Sequence, residues 1–278
     1  MGWFSDAKLL VQVSRPAGWA IGPLVFFFSL QYVKAAITPL AIVQAILLSF
    51  PYNLFLLGFN DIYDYESDRI NKRKNSAFGP VLLPANRRIV RKAALACAAL
   101  LAMSSLATAS AFNISAMFLL LIFSYFYSVP PVRLKERPPF DSISNGLAVF
   151  LVGCLGVSFG GSFSDIPLKA YFASLCVVGV HAFSTIMDFS PDKKTGQKTF
   201  STVFGKRAAA AFAFLTVAST AAFAGIRSPA INAYLVFCSA LFLIAVARPD
   251  EQLASRIFKA IFAGFLLAAI ASVLFGTS

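Results

Sequence analysis

Apolar stretches of about 20 residues, the length that carries an α-helix through a hydrocarbon core, recur along the whole chain and constrain it more than any other feature. Nine are expected, at 17–33, 38–59, 89–110, 112–130, 143–162, 166–187, 207–226, 229–247 and 257–276. With 58% hydrophobic residues, 13% charged and a mean hydropathy of +0.75, the chain is more apolar than a soluble domain can hide. Backbone inside lipid must pair its own polar groups, and the period-two alternation of a membrane barrel is absent, so the spans are helices. The expected fold is all-α: a polytopic membrane protein, a bundle of nine transmembrane helices forming a single domain over 1–278.

Charge orients the bundle. Of the 24 Lys and Arg, only Lys34, Lys169 and Arg227 fall on one side when the nine spans are threaded; the rest share the side that holds the N-terminus. Excess Lys and Arg collect in cytoplasmic loops, so the net charge of +12 reflects topology in a cell (plasma) membrane, with the N-terminus cytoplasmic, and not nucleic-acid binding. No cleavable signal peptide opens "MGWFSDAKLLVQVSRP", so the first span is expected to be retained. Cys97, Cys154, Cys176 and Cys238 each lie within a span without CxxC spacing, which indicates packing and neither zinc nor disulfides.

The stretch "NDIYDYESDRINKRK", Asn60–Lys74, breaks the apolar pattern. At about 100° per residue, Asp61, Asp64 and Asp68 share one narrow helical arc, and Glu66 points away. Three carboxylates on one face repel one another unless a metal, a basic group or water lies between them. A second pair, Asp188 and Asp192, has i, i+4 spacing where the sixth span ends, with Pro191 between them predicting a loosened helix. Both clusters fall on the basic side, at helix ends where a carboxylate is partly shielded from water. Two clusters facing a common cavity would suit Mg²⁺, which takes one or two carboxylates and keeps its other positions for water and phosphate oxygens.

Bases accompany the acids: Arg69, Lys72, Arg73 and Lys74 after the first cluster, Lys193, Lys194 and Lys198 after the second. In "YSVPPVRLK", Tyr127–Lys135, Pro130 and Pro131 stop a helix and turn Arg133 and Lys135 to the same side. Carboxylates for metal and Arg or Lys for phosphate compose a diphosphate site, and no Walker loop is present. Blander roles stand beside these. Arg87, Arg88, Arg91 and Lys92 read as topology anchors; Arg69 to Lys74 fit either role. His181, two turns before Asp188, could line a pocket, accept a proton or bond between helices. The 30 Phe residues mainly face lipid or pack the bundle, and "GCLGVSFGG", Gly153–Gly161, reads as close helix packing.

These residues resemble the UbiA superfamily of membrane prenyltransferases. Its NDxxDxxxD signature is matched by Asn60, Asp61, Asp64 and Asp68, its DxxxD by Asp188 and Asp192, and its YxxPPxRxK-like stretch by Tyr127, Pro130, Pro131, Arg133 and Lys135. The resemblance implies nine helices and a catalytic site of Asp61, Asp64, Asp68, Asp188 and Asp192 holding Mg²⁺ on an isoprenyl diphosphate. Lys72, Arg133, Lys135 and Lys198 would bind phosphate, with Asn53, Asn60 and Tyr127 as further substrate contacts. "NKRKNSAFGPVLLP" replaces the Arg-Pro-rich segment of some members and argues against an aromatic or quinone acceptor. "NDIYDYESDRINKRK" with "HAFSTIMDFSPD" looks most like lycopene elongases, which implies a hydrophobic carotenoid acceptor taken from the lipid bilayer and a cytoplasmic active site. The rival readings are a terpene cyclase of the same superfamily and a cation or organophosphate transporter. The transporter would place its charges near the bilayer midplane.

Overall fold

The computed structural model describes residues 3–71, 74 and 79–275. Every regular element among them is helical. Seven helices among the described residues are long and apolar enough to cross a membrane: Pro39–Tyr63, Pro84–Leu106, Ala111–Ser128, Phe140–Val157, Leu168–Thr195, Pro229–Ala247 and Glu251–Ala271. The chain is a multi-pass membrane protein. The other two expected spans are also helical but do not meet that measure. Ile21–Tyr32 has 12 residues, about 18 Å of helix against a hydrocarbon core of about 30 Å. Lys206–Phe223 opens on two cations, Lys206 and Arg207, which shorten its apolar length.

The chain divides into two compact units, one comprising Met1–Leu134 and Leu147–Ile166, the other Lys135–Gly146 and Pro167–Ser278. In the first, the long second span is two helices, Pro39–Leu47 and Phe50–Tyr63. Pro51 causes the break, because it lacks the N–H that would continue the ladder and its ring crowds the carbonyl a turn earlier. Leu54, Phe55, Phe59 and Ile62 pack on Leu82, Val90, Ala94 and Cys97. A second cluster gathers Phe26, Leu30, Leu48, Leu101, Met117, Leu120 and Leu155. The close packing expected of "GCLGVSFGG" is present: a Cβ on Gly156 would strike the Phe26 carbonyl oxygen, and one on Gly160 would come within 2.8 Å of Ala35 Cβ. Small residues matter here because helices in lipid associate through close contact, with no hydrophobic drive between them.

Asn113 ties these helices together. Its amide nitrogen donates to Gln44 Oε1 at 2.9 Å and Ser158 Oγ at 2.8 Å, and its oxygen accepts from Gln44 Nε2 at 3.0 Å and Ser105 Oγ at 2.6 Å. All four hydrogen-bonding positions of the amide are thereby used. Gln44, Ser105 and Asn113 are buried, so these groups depend on one another and not on water.

In the second unit, Ala182, Phe183 and Ile186 pack on Ala209, Ala210, Ala213 and Val217, and on Phe242, Ala245, Ile257 and Ile261. Gly179 lets the helices Leu168–Ser184 and Lys206–Phe223 approach, since a Cβ there would collide with Thr216 Oγ1. The four cysteines are free; the buried packing expected of them is found for Cys97, Cys154 and Cys238, while Cys176 is half-buried. Large apolar side chains on the outside of both units, among them Ile46, Leu106, Leu215, Phe223 and Leu267, are more than half exposed, as a lipid-facing surface requires.

Replacing Asn113 by Leu leaves the buried Gln44 amide without partners and is expected to cost about 2 kcal/mol. In a double-mutant cycle, adding Gln44→Leu to Asn113→Leu should cost less than Gln44→Leu alone. Unfolding of the detergent-solubilised variants measures this, and strictly additive losses would contradict the network.

Candidate active site

Backbone geometry at the end of the second span determines how the first acids lie. The helix Phe50–Tyr63 stops at Asp64, and a one-turn helix, Tyr65–Asp68, follows. The backbone bonds nevertheless continue through the break, from Asp64 N to Asn60 O at 3.1 Å and Asp68 N to Asp64 O at 2.8 Å. The one-face expectation therefore holds: Asp61, Asp64 and Asp68 are buried, while Glu66 turns outward and lies 3.9 Å from Arg69.

Side-chain cations occupy the space between these carboxylates. Lys74 Nζ lies 2.9 Å from Asp61 Oδ1 and 2.7 Å from Asp68 Oδ2, bridging two acids. Arg15 Nη2 donates to Asp61 Oδ1 at 2.8 Å, and Arg133 Nη2 to Asp64 Oδ1 at 3.3 Å. Arg15 reaches inward from a left-handed backbone with φ 51°. Gly79, at φ 87°, makes room for it, because a Cβ there would lie 2.9 Å from Arg15 Nε and 3.6 Å from Asp61 Oδ2. Burial pushes Asp68 up to about 7, a rise that Lys74 opposes and the charges of Asp61 and Asp64 reinforce.

The second pair lies in the other unit. The helix Leu168–Ser184 tightens into a 3₁₀ turn, Thr185–Asp188, and restarts as Phe189–Thr195. Pro191 falls in the first turn of this new helix, where a missing N–H breaks no bond, which explains why the chain tolerates it. Asp188 is half-buried and Asp192 buried. Asp192 Oδ2 accepts from Thr199 Oγ1 at 3.3 Å, and its backbone oxygen accepts from Gln197 N at 2.9 Å. Glu251 holds the start of this helix through Ser190 Oγ at 2.6 Å and also meets Lys206 Nζ at 2.8 Å.

The remaining predicted residues are spread more widely. Arg133 meets the first cluster; Lys135 is buried and begins the second unit. Tyr127 and Asn60 are half-buried, and Lys198 is exposed. Asn53 lies two turns before Asp61, its amide donating to Ser49 O at 2.8 Å. Lys72 lies outside the described residues. His181 bonds between helices, its Nδ1 3.1 Å from Ser142 Oγ. Sequence reading missed Arg15, which it counted only as a cytoplasmic base, and did not single out Lys74 from its basic run. It assigned no role to Asp141 or Gly79. The Arg15-Pro16 pair at a helix end was the available signal for the first, since a residue before proline leaves the helical region.

The donor set suits a hard divalent cation. Asp61 Oδ2 is buried and makes no hydrogen bond among the described residues, so it presents an anionic oxygen with an unmet need. Among the described residues no three Asp, Glu, His or Cys side chains are close enough to share a metal. A bound ion would therefore take one or two carboxylates at a time, the habit of Mg²⁺ beside phosphate.

Apolar helices that end in buried acids paired with bases define an integral membrane protein whose donor set suits a metal and a polyanion. Residues 17–274 match the UbiA prenyltransferase family, and the chain belongs to it. The lycopene elongase/hydratase of Haloarcula japonica is 31% identical over 201 residues, 71% of this chain and 67% of that protein. That of Halobacterium salinarum is 30% identical over 226 residues, 78% of this chain and 79% of the relative. A UbiA homolog from Archaeoglobus fulgidus, solved bound to DMAPP and Mg²⁺, shares the fold with a TM-score of 0.69 at 22% identity, over 95% of this chain and 98% of that one.

Lys74 neutralises two buried acids at once, so Lys74→Met should destabilise the protein by about 3 kcal/mol, as breaking a buried ion pair does. Adding Asp68→Asn should recover part of the loss by removing one uncompensated charge. Thermal unfolding in detergent reads both, and a Lys74→Met variant as stable as the parent would contradict the bridging role.

Proposed function

We propose that this protein transfers an isoprenyl group from an allylic diphosphate to a lipophilic acceptor, a carotenoid such as lycopene, in a Mg²⁺-dependent reaction at the cytoplasmic face of the plasma membrane. The observation that carries the reading is the first acid cluster: buried carboxylates, cations paired with them, and Asp61 Oδ2 without a hydrogen bond among the described residues. Two relatives named lycopene elongase/hydratase support the acceptor class, and the basic side of the chain supports the orientation.

In this reading Asp61, Asp64, Asp68, Asp188 and Asp192 serve one diphosphate, directly or through water. When bound to them, magnesium supplies positive charge that lowers the cost of parting diphosphate from the allylic carbon. Arg133, Lys135, Lys72 and Lys198 bind the phosphate oxygens and stabilise the leaving group as the C–O bond breaks. Asn53, Asn60 and Tyr127 orient the donor. The apolar helix walls keep water from the allylic cation. The acceptor's π bond forms the new C–C bond, and the product then loses a proton. The carotenoid acceptor dissolves in lipid, so it can reach the site laterally between helices, while the charged diphosphate of the donor stays at the polar end.

Purified protein given labelled dimethylallyl diphosphate, Mg²⁺ and lycopene is expected to yield a labelled C5-extended carotenoid. Asp64→Asn and Asp188→Asn should each lower the rate at least about 100-fold while the protein still elutes as a folded species. Full turnover by either variant would remove that residue from the proposed site, and labelling of another lipid alone would overturn the carotenoid assignment.

A further inference from the structure

We propose that Asp141, outside both aspartate motifs, is a positioning residue that fixes the second acid pair. The inference rests on the reading of Asp188 and Asp192 as magnesium ligands. Asp141 lies in the first turn of the helix Phe140–Val157 and is 1% exposed. A carboxylate so deep in a membrane protein needs donors, and it has three. Oδ1 accepts the Ser142 N–H at 2.7 Å and the Ser142 hydroxyl at 3.1 Å, and Oδ2 accepts the Phe200 N–H at 2.7 Å. The last bond spans 59 residues and seizes the chain where the helix Phe200–Phe204 begins. A helix start leaves such N–H groups unmet, and an anionic acceptor satisfies one strongly.

The segment that Asp141 holds meets Asp192 and the turn that leads to Asp188. Immediately before Phe200, the Thr199 hydroxyl donates to Asp192 Oδ2 at 3.3 Å. Immediately after it, Ser201 N donates to Thr185 Oγ1 at 3.0 Å and Ser201 Oγ to Thr185 O at 2.9 Å. Thr185 opens the 3₁₀ turn that ends in Asp188. Residues 199–201 thus act as a buckle: one end directs the Asp192 carboxylate, the other anchors the turn that presents Asp188. Asp141 fastens the buckle at its centre. Thr199 stands one hydrogen bond behind the proposed ligand Asp192, the position from which a group orients a ligand and whose loss typically weakens metal binding about 10- to 100-fold; Asp141 acts through it.

Binding of Mn²⁺ to the full-length protein in detergent, followed by electron paramagnetic resonance with dimethylallyl S-thiolodiphosphate present, tests this without turnover. The unmodified protein should bind the ion; failure to bind would overturn the magnesium reading itself and this inference with it. Asp141→Ala should weaken Mn²⁺ about tenfold, and Asp141→Asn, which keeps an acceptor for Phe200 N–H, should recover most of that loss. Thr199→Val should match Asp141→Ala, and the double variant should be no weaker than the worse single one, because both act through the same buckle. Unaltered Mn²⁺ affinity in a folded Asp141→Ala, even with a lowered thermal midpoint, would make Asp141 structural only and overturn the proposal. If Asp141→Ala does not fold, Thr199→Val decides: parental affinity overturns the proposal, and a tenfold loss supports it.

Discussion

A carboxylate removed from water must be matched by donors or cations, and much of this structure follows from meeting that demand at the ends of membrane helices. Asp61 is fully buried and meets two cations, Arg15 and Lys74, that are distant from it in sequence. Asp64 meets a third, Arg133, from beyond another helix. The pairs do more than offset desolvation. They bring three chain segments to one spot and leave the bases that suit a polyanion already beside the acids that suit its metal.

The same demand explains the interrupted helices. A regular helix uses its own backbone groups, which is why lipid favours it, yet a site needs side chains and backbone that diverge. Here the breaks come at Pro51, at Asp64 and at Thr185–Asp188. Two of the three lie at acids. The N–H groups that a helix start leaves unmet are likewise satisfied by buried side chains, as Asp141 satisfies Phe200 and Thr185 satisfies Ser201 at the start of Phe200–Phe204.

Much of the fold was legible because lipid leaves few choices: apolar stretches of sufficient length become helices, and each expected span contains one. Two of the expected spans are helical yet miss the length and hydropathy measure of a crossing helix where local chemistry intervened, at the short Ile21–Tyr32 and at the cationic start of Lys206–Phe223. The inward arc of Asp61, Asp64 and Asp68 was legible from spacing alone, because helical periodicity survives a one-residue break. Arg15, Gly79 and Asp141 were not. Their roles come from contacts across 46 residues for Arg15–Asp61 and 59 for Asp141–Phe200, and no periodicity encodes those. An isolated Asp at a helix start reads as an ordinary cap until its partner is seen.

The proposed function rests on one physical claim, that carboxylates from two motifs far apart in sequence act on a single metal-bound diphosphate. A structure determined with Mg²⁺ and dimethylallyl S-thiolodiphosphate tests it most directly. The predicted result is at least one of Asp61, Asp64 and Asp68, and at least one of Asp188 and Asp192, bound directly or through one water to magnesium on the same diphosphate. Direct ligands should lie at about 2.1 Å. A diphosphate whose metals contact only one of the two motifs would contradict it.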